Sequence, residues 1–283
     1  MRPVLPQKKI NYKLLILYGL VFVICILGIG MSMYMQYFQD EKIGVIFGIT
    51  DSEDEDLYNE LKNNFNSLFT NDVDNLQGDE LQVKKIKKDF DIVATRHSYS
   101  EEKDNYNLDV SIPIINIDNE IIKEYNEQIE DTYKQKVDEI KTSSGDIYNV
   151  RYKCYIQDNI LSLVIYSESK EKTSNQKIMI ETFNYNLVEN REVNLEDILN
   201  LKNIKVSDAN SKIKSEIKEI QEKNDSLTEL GYNMYKRDIN SDIYEVPNIE
   251  QYFLGEDGNV YVVFAYGNYD QTSEMDVVIF MDK

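Results

Sequence analysis

Histidine occurs once in this chain of 283 residues, at His97. A lone imidazole leaves no basis for the common zinc sites or for Ser–His and Cys–His nucleophilic catalysis. His97 lies in ATRHSY near the end of a strand-like run and reads as a surface or half-buried side chain. The 11 glycines are scattered and form no phosphate-cradling loop. Carboxylates are abundant, with 51 acidic side chains against 31 basic ones. Paired acids can hydrolyse glycosides without histidine, but among 51 some pair must fall within reach by chance, so no pair is singled out. The acid run Thr50-Asp51-Ser52-Glu53-Asp54-Glu55-Asp56 lacks the alternation and turn glycine of a calcium loop and reads as the capped start of a helix. No catalytic residue, metal ligand or cofactor is nominated, and the chain is expected not to be an enzyme.

Recognition chemistry is better represented. Tyrosine occurs 21 times, and Tyr235, Tyr244, Tyr252, Tyr261, Tyr266 and Tyr269 crowd the last 50 residues. A phenol offers a flat apolar ring and a polar tip, which suits contact with carbohydrate or protein. Tyrosines at Tyr252 and Tyr261 are expected to fill half-buried sheet positions. Tyr266, Gly267, Asn268 and Tyr269, at a strand end, are the candidate binding residues.

The elements that position them follow from periodicity. Leu57, Leu61, Phe65 and Leu68 repeat at helical spacing after the acid run. FDIVATRHSY and NYNLDVSIPII read as strands around a turn at Glu101–Asn105. A long amphipathic helix is predicted over Asn119–Thr142 from Ile122, Tyr125, Ile129, Tyr133, Val137 and Ile140. IYNVRYKCYI, ILSLVIYSES and KIMIETFNYN then form an antiparallel meander. The plan repeats as a variant: a short capped helix at Asn194–Leu199, a helix from Ser207 to about Glu222, and strands at NIEQYFL, NVYVVFAYG and MDVVIFM, with a turn at Gly255–Gly258. The fold class is α+β, two strand–helix–antiparallel-meander lobes over residues 84–187 and 188–283. Residues 39–83 supply a linker and amphipathic helix, and the basic cluster Lys84-Lys85-Ile86-Lys87-Lys88 reads as a solvated face.

Ahead of these, Leu14–Phe38 runs 25 residues without a charge. Its dozen or so Leu, Ile, Val and Phe favour insertion by ~4–7 kcal/mol in sum, and the length suffices to span a bilayer. The run continues past Gly30-Met31-Ser32, which argues for a retained transmembrane helix over a cleaved signal. Arg2, Lys8, Lys9 and Lys13 precede it, so residues 1–13 are expected to be a cytoplasmic basic stub with the rest outside. A formal net charge of −20 repels nucleic acid and anionic lipid. Cys25 falls in the apolar run, which leaves Cys154 as the one thiol outside it. No disulfide staples the domain, and Cys154 reads as a buried apolar residue. Richness in Asn, Ile, Lys and Tyr suggests an AT-rich bacterial genome.

Three stretches carry a resemblance: YNLDVSIPII leading into the long helix, FNYNLVENREVNLEDIL leading into the second, and EQYFLGEDGNVYVVFAYGNYDQ with MDVVIF. On them, residues of about 88–283 resemble the paired extracytoplasmic domains of membrane-bound lysozyme-sensing anti-sigma factors and of membrane-anchored peptidoglycan deacetylases. The resemblance implies a tyrosine-rich segment near a partner-binding face. The chain departs from the family in having 13 residues before the apolar run, too few for a sigma-binding segment. It lacks the deacetylase metal ligands, and where the family segment tends to carry proline it reads Tyr266-Gly267-Asn268-Tyr269. The expected function is a membrane-anchored extracytoplasmic recognition module for a cell-envelope glycan such as peptidoglycan, or for a basic lysozyme-like protein. The alternative is a regulator acting through a membrane partner, and a carboxylate-based glycan hydrolase comes last.

Overall fold

The structure is a computed structural model that describes residues 52–69 and 91–282. The predicted stub 1–13, the apolar span 14–38 and the basic cluster at Lys84–Lys88 lie outside the described residues. Among the described residues no helix is long and apolar enough to cross a membrane. The chain divides into two units, Met1–Glu60 and Leu61–Lys283. Of the first, the described part is the helical stretch Ser52–Glu60.

Helix α1 (Ser52–Asn64) ends in a 3-10 turn over Phe65–Phe69. The predicted single stripe is corrected here: Leu57 and Leu68 are exposed, and the buried pair is Phe65 and Phe69. The tighter turn rotates the chain after Asn64, so Phe69 rather than Leu68 points inward.

Within the second unit, the described strands form a six-stranded sheet and a three-stranded one. In the first lobe β1 (Val93–Glu102) and β2 (Tyr106–Ile115) pair antiparallel, with a bulge between Thr95 and His97. Helix α2 (Glu120–Thr142) follows, and the Asn119 side chain accepts from the Ile121 N–H to cap it. It is succeeded by β3 (Asp146–Gln157), β4 (Ile160–Lys170), β5 (Lys177–Asn186) and the two-residue β6 (Arg191–Glu192). Asp158 and Asn159 both take positive φ, as a two-residue hairpin turn with right-handed twist demands.

The expectation of wholly antiparallel lobes is corrected: β2 and β3 are parallel, in register from Tyr106 with Asp146 to Val110 with Val150. A helix that crosses over the sheet must return the chain in its original direction. Ile122, Ile129, Val137 and Ile140 of α2 meet Leu108, Val110, Ile112 and Val150 in an apolar core. Buried Asn126 ties helix to strand, accepting from the Ile115 N–H and donating to its carbonyl at 2.9 Å each. Cys154 is buried in this core as a free thiol.

The second lobe comprises α3 (Leu195–Leu201), α4 (Val206–Glu229), β7 (Tyr252–Leu254), β8 (Val260–Ala265) and β9 (Met275–Phe280). Asn194 and Asp197 form a reciprocal capping box on α3. The short strand that precedes these helices does not lead a second strand–helix–meander unit. It is β6, and it pairs with β5 of the first sheet. The second sheet is therefore the meander alone, covered by Ala209, Ile213 and Ile217 of α4. That helix runs to Glu229, about two turns past Glu222, because NDSLTE contains no breaker before Gly231 (φ +93°).

Candidate functional site: the tyrosine turn and its seat

The four candidate residues sit together as a 3-10 turn, Tyr266–Asn268 followed by Tyr269, between β8 and β9. The structure gives them different jobs. Gly267 passes so close to the first lobe that a Cβ there would lie 1.8 Å from the Ile178 carbonyl oxygen, a contact that excludes any side chain. Asn268 turns its amide onto β5, donating to the Ile180 carbonyl at 2.8 Å and accepting from the Ile180 N–H at 3.2 Å. On either side, the Ile178 N–H donates to the Thr272 carbonyl (3.1 Å) and the Thr182 N–H to Gln251 Oε1 (2.8 Å). Strand β6 reaches only the Tyr185–Asn186 end of β5, so second-lobe groups complete the edge that a longer β6 would have filled. Gly267 and Asn268 thus belong to the seam between the lobes. The sequence pattern contains no signal for this, because the contact joins positions 88 residues apart.

Tyr266 points the other way, into a buried charged network. Its hydroxyl donates to Asp276 Oδ2 at 2.6 Å and lies 2.9 Å from the Tyr244 hydroxyl, which must then donate to it. Arg237 grips Asp276 in a bidentate pair, Nε to Oδ2 at 2.6 Å and Nη2 to Oδ1 at 2.9 Å, and Nη2 also reaches Glu274 Oε2 at 3.0 Å. Its Nη1 donates to the Tyr235 carbonyl, its backbone N–H to Gln221 Oε1, and its guanidinium lies 4.9 Å from the Tyr266 ring centre. The Tyr235 ring stacks on Tyr266 at 4.3 Å. Burial, and then the Asp276 charge, push the Tyr266 phenol far above its ordinary range, and burial raises Tyr244 to about 12. For Arg237 burial works against the charge, yet the Asp276 contact outweighs it and raises the pKa.

Such perturbed groups often mark an active site, but here every donor faces an acceptor within the protein. Arg237 and Asp276 are 4% and 5% exposed, and the network holds the loop that carries Tyr235 against β9. Sequence reasoning missed Arg237, Glu274 and Asp276. The available signal was Asp276 inside the apolar strand MDVVIF, since a buried acid requires a counter-charge.

Tyr269 alone of the four faces solvent, at 50% exposure, with its hydroxyl 3.5 Å from Glu250. It has company. Helix α4 runs beside β9, with Lys212 donating to the Ile279 carbonyl and Asn224 to Glu274. Those 12 helical residues span ~18 Å and the five strand residues ~17 Å, so the last turn of α4 extends toward the loop at Tyr269–Ser273. There Leu227, Leu230 and Tyr232 are exposed, Leu230 at 75% and Tyr232 at 61%. Asp225, Glu229 and Asp270 in the same segments are exposed, as are Glu250, Lys223 and Lys236. The last turn of α4 carries no basic residue, so the negative end of the helix dipole adds to that charge.

Elsewhere, His97 is half-buried and its Nε2 lies 2.9 Å from Glu130, which also receives Arg96 and Lys134. Burial raises the Glu130 pKa, but the Lys134 and His97 hydrogen bonds prevail and lower it. Lys202, nearly buried, joins Asp158 of the β3–β4 turn to Asp282 at 3.0 Å each, beside a cavity of about 470 Å³. Among the described residues no group of His, Cys, Asp and Glu could hold a metal ion.

No family model matches the chain, and no curated protein does. Among solved structures the fold is similar to a DUF3298 family protein from Pseudomonas aeruginosa at 9% identity, covering 67% of this chain and 86% of that one with a TM-score of 0.36. It is also similar to a DUF3298 family member from Bacteroides fragilis at 12% identity, covering 67% and 87% with a TM-score of 0.30.

Proposed function

We propose that this chain is a non-enzymatic, membrane-tethered extracytoplasmic module that presents the end of α4 and the Tyr269 loop of its second lobe to a partner, a cell-envelope glycan or a basic lysozyme-like protein. The observation that carries the reading is the exposure of Leu230, Tyr232 and Tyr269, with the exposed acids Asp225, Glu229 and Asp270 close to them in sequence and Glu250 3.5 Å from the Tyr269 hydroxyl. Two solvent-facing phenols supply stacking surface at low entropic cost, and the acids complement a basic partner. The buried Arg237 network and the β5 seam fix the loops beneath them, so the surface is held rigid ahead of binding. Full-length protein in detergent, titrated at physiological salt with basic lysozyme and separately with peptidoglycan fragments, tests this. Binding of one of them is expected, weakened about tenfold (~1.4 kcal/mol) by Tyr232→Ala with Tyr269→Ala. Failure to bind either, or binding indifferent to both substitutions, would overturn it.

A further inference from the structure

Phe65 and Phe69 are 1% and 5% exposed, although the turn that carries them belongs to neither sheet. The rings reach both lobes. Phe69 stacks on Tyr166 of β4 at 5.0 Å and 14°, while Phe65 meets Phe253 of β7 at 6.1 Å and Tyr261 of β8 at 6.2 Å. The two phenylalanines touch each other edge-on at 5.7 Å, and Tyr155 of β3 stacks on Phe253 at 5.9 Å. A chain of rings therefore runs from Tyr166 of the first sheet through Phe69 and Phe65 to Phe253 of the second sheet and back to Tyr155 of the first. Just ahead, Lys62 pairs with Glu216 of α4 at 3.1 Å.

The other side of the seam is polar. Asn268, Thr272 and Gln251 cap β5, and Ser162 of β4 accepts from the Leu254 N–H at 3.1 Å. Both sets of contacts need the same placement of one lobe on the other. The aromatic pocket for Phe65 and Phe69 has walls from each lobe, so separating the lobes removes the pocket, and withdrawing the rings removes part of what holds the lobes.

We propose that Leu61–Phe69 is a conformational strap whose docking is coupled to the lobe seam. A partner that shifts the lobes loosens the strap and passes the change to the chain ahead of Leu61. Coupling of this kind is reciprocal by thermodynamic necessity. It does not depend on which partner the second lobe binds.

Hydrogen exchange on the full-length protein in detergent tests it from both ends. Asn268→Ala acts at the polar seam, where Asn268 bonds the backbone of Ile180 on β5. It is expected to speed exchange of the Leu61–Phe69 amides about tenfold. Phe69→Ala is expected to speed exchange at Ile178 and Ile180 on β5 by a similar factor, while α2 amides stay protected. If α2 also loosens, the variant has unfolded broadly, and the milder pair Gln251→Ala and Phe69→Leu decides the matter on the same amides. Exchange that rises only beside each substitution overturns the proposal.

Discussion

Under α2 the first lobe buries the hydroxyls of Tyr125 and Tyr185 with no hydrogen-bond partner among the described residues, whereas in the second lobe Tyr244 donates to Tyr266 and Tyr266 to Asp276, which also accepts from Arg237. Both sites contain stacked rings: Tyr125 lies 4.0 Å from Phe183, and Tyr235 lies 4.3 Å from Tyr266. The difference lies in what directs the packing. The first lobe is held by apolar complementarity between a helix and a sheet, and its phenols are tolerated there. The second lobe has a smaller sheet and depends on directional, charged contacts to fix the loop from Tyr232 to Arg237. Buried polar networks are strong when every member is satisfied and costly when one is removed.

The largest expected effect comes from Arg237→Ala. It strands Asp276 as a buried carboxylate and should cost ~3–5 kcal/mol in urea unfolding; a loss below about 1 kcal/mol would show that the network is ornamental. Next comes a matched pair. Tyr266→Phe deletes the hydroxyl that links Tyr244 to Asp276 and should cost ~1–3 kcal/mol, while Tyr185→Phe removes an unpartnered hydroxyl and should be neutral or slightly stabilising. Equal effects of the two would erase the contrast between the lobes.

The smallest effect is a pH slope in the first lobe. Glu181 accepts from Tyr133 at 3.3 Å, and burial raises its pKa above the ordinary value, with that hydrogen bond opposing. Between the unfolded and folded pKa values the native state holds more protons, so stability falls as pH rises through that window. Glu181→Gln should remove that part of the slope in denaturation measured from pH 4 to pH 7.

How far the sequence revealed this architecture differs between lobes for the same physical reason. Ile122, Ile129, Val137 and Ile140 repeat at helical spacing, and α2 forms where that period and Asn119 place it. Strands β3, β4 and β5 form on their runs of β-branched and aromatic residues, β3 alternating and β4 buried on both faces over Ile160–Ser167, with turns at Asp158-Asn159 and after Lys170. The parallel pairing of β2 with β3 was not visible, because periodicity reports which face is buried and says nothing about neighbours. Of the candidate turn, Tyr269 is exposed, as a contact residue must be, but the roles of Gly267 and Asn268 were hidden. Their partners, Ile178 and Ile180, are apolar strand residues whose backbone does the bonding. Likewise Phe65 read as part of a helical stripe, and only the fold shows that its neighbours come from two sheets.

The capped edge of β5 has a consequence for folding among other chains. An open strand of ten residues is a template on which any neighbouring chain can add itself, and natural proteins blunt such edges with charge, bulges or cover. Here the cover is Asn268, Gln251 and Thr272, borrowed from the second lobe of the same molecule. Protection from aggregation therefore arrives only when the second lobe has folded and docked. Because the chain is made from its N-terminal end, the first sheet must wait with that edge bare, and the rate at which α4 and β7–β9 assemble sets how long the exposure lasts.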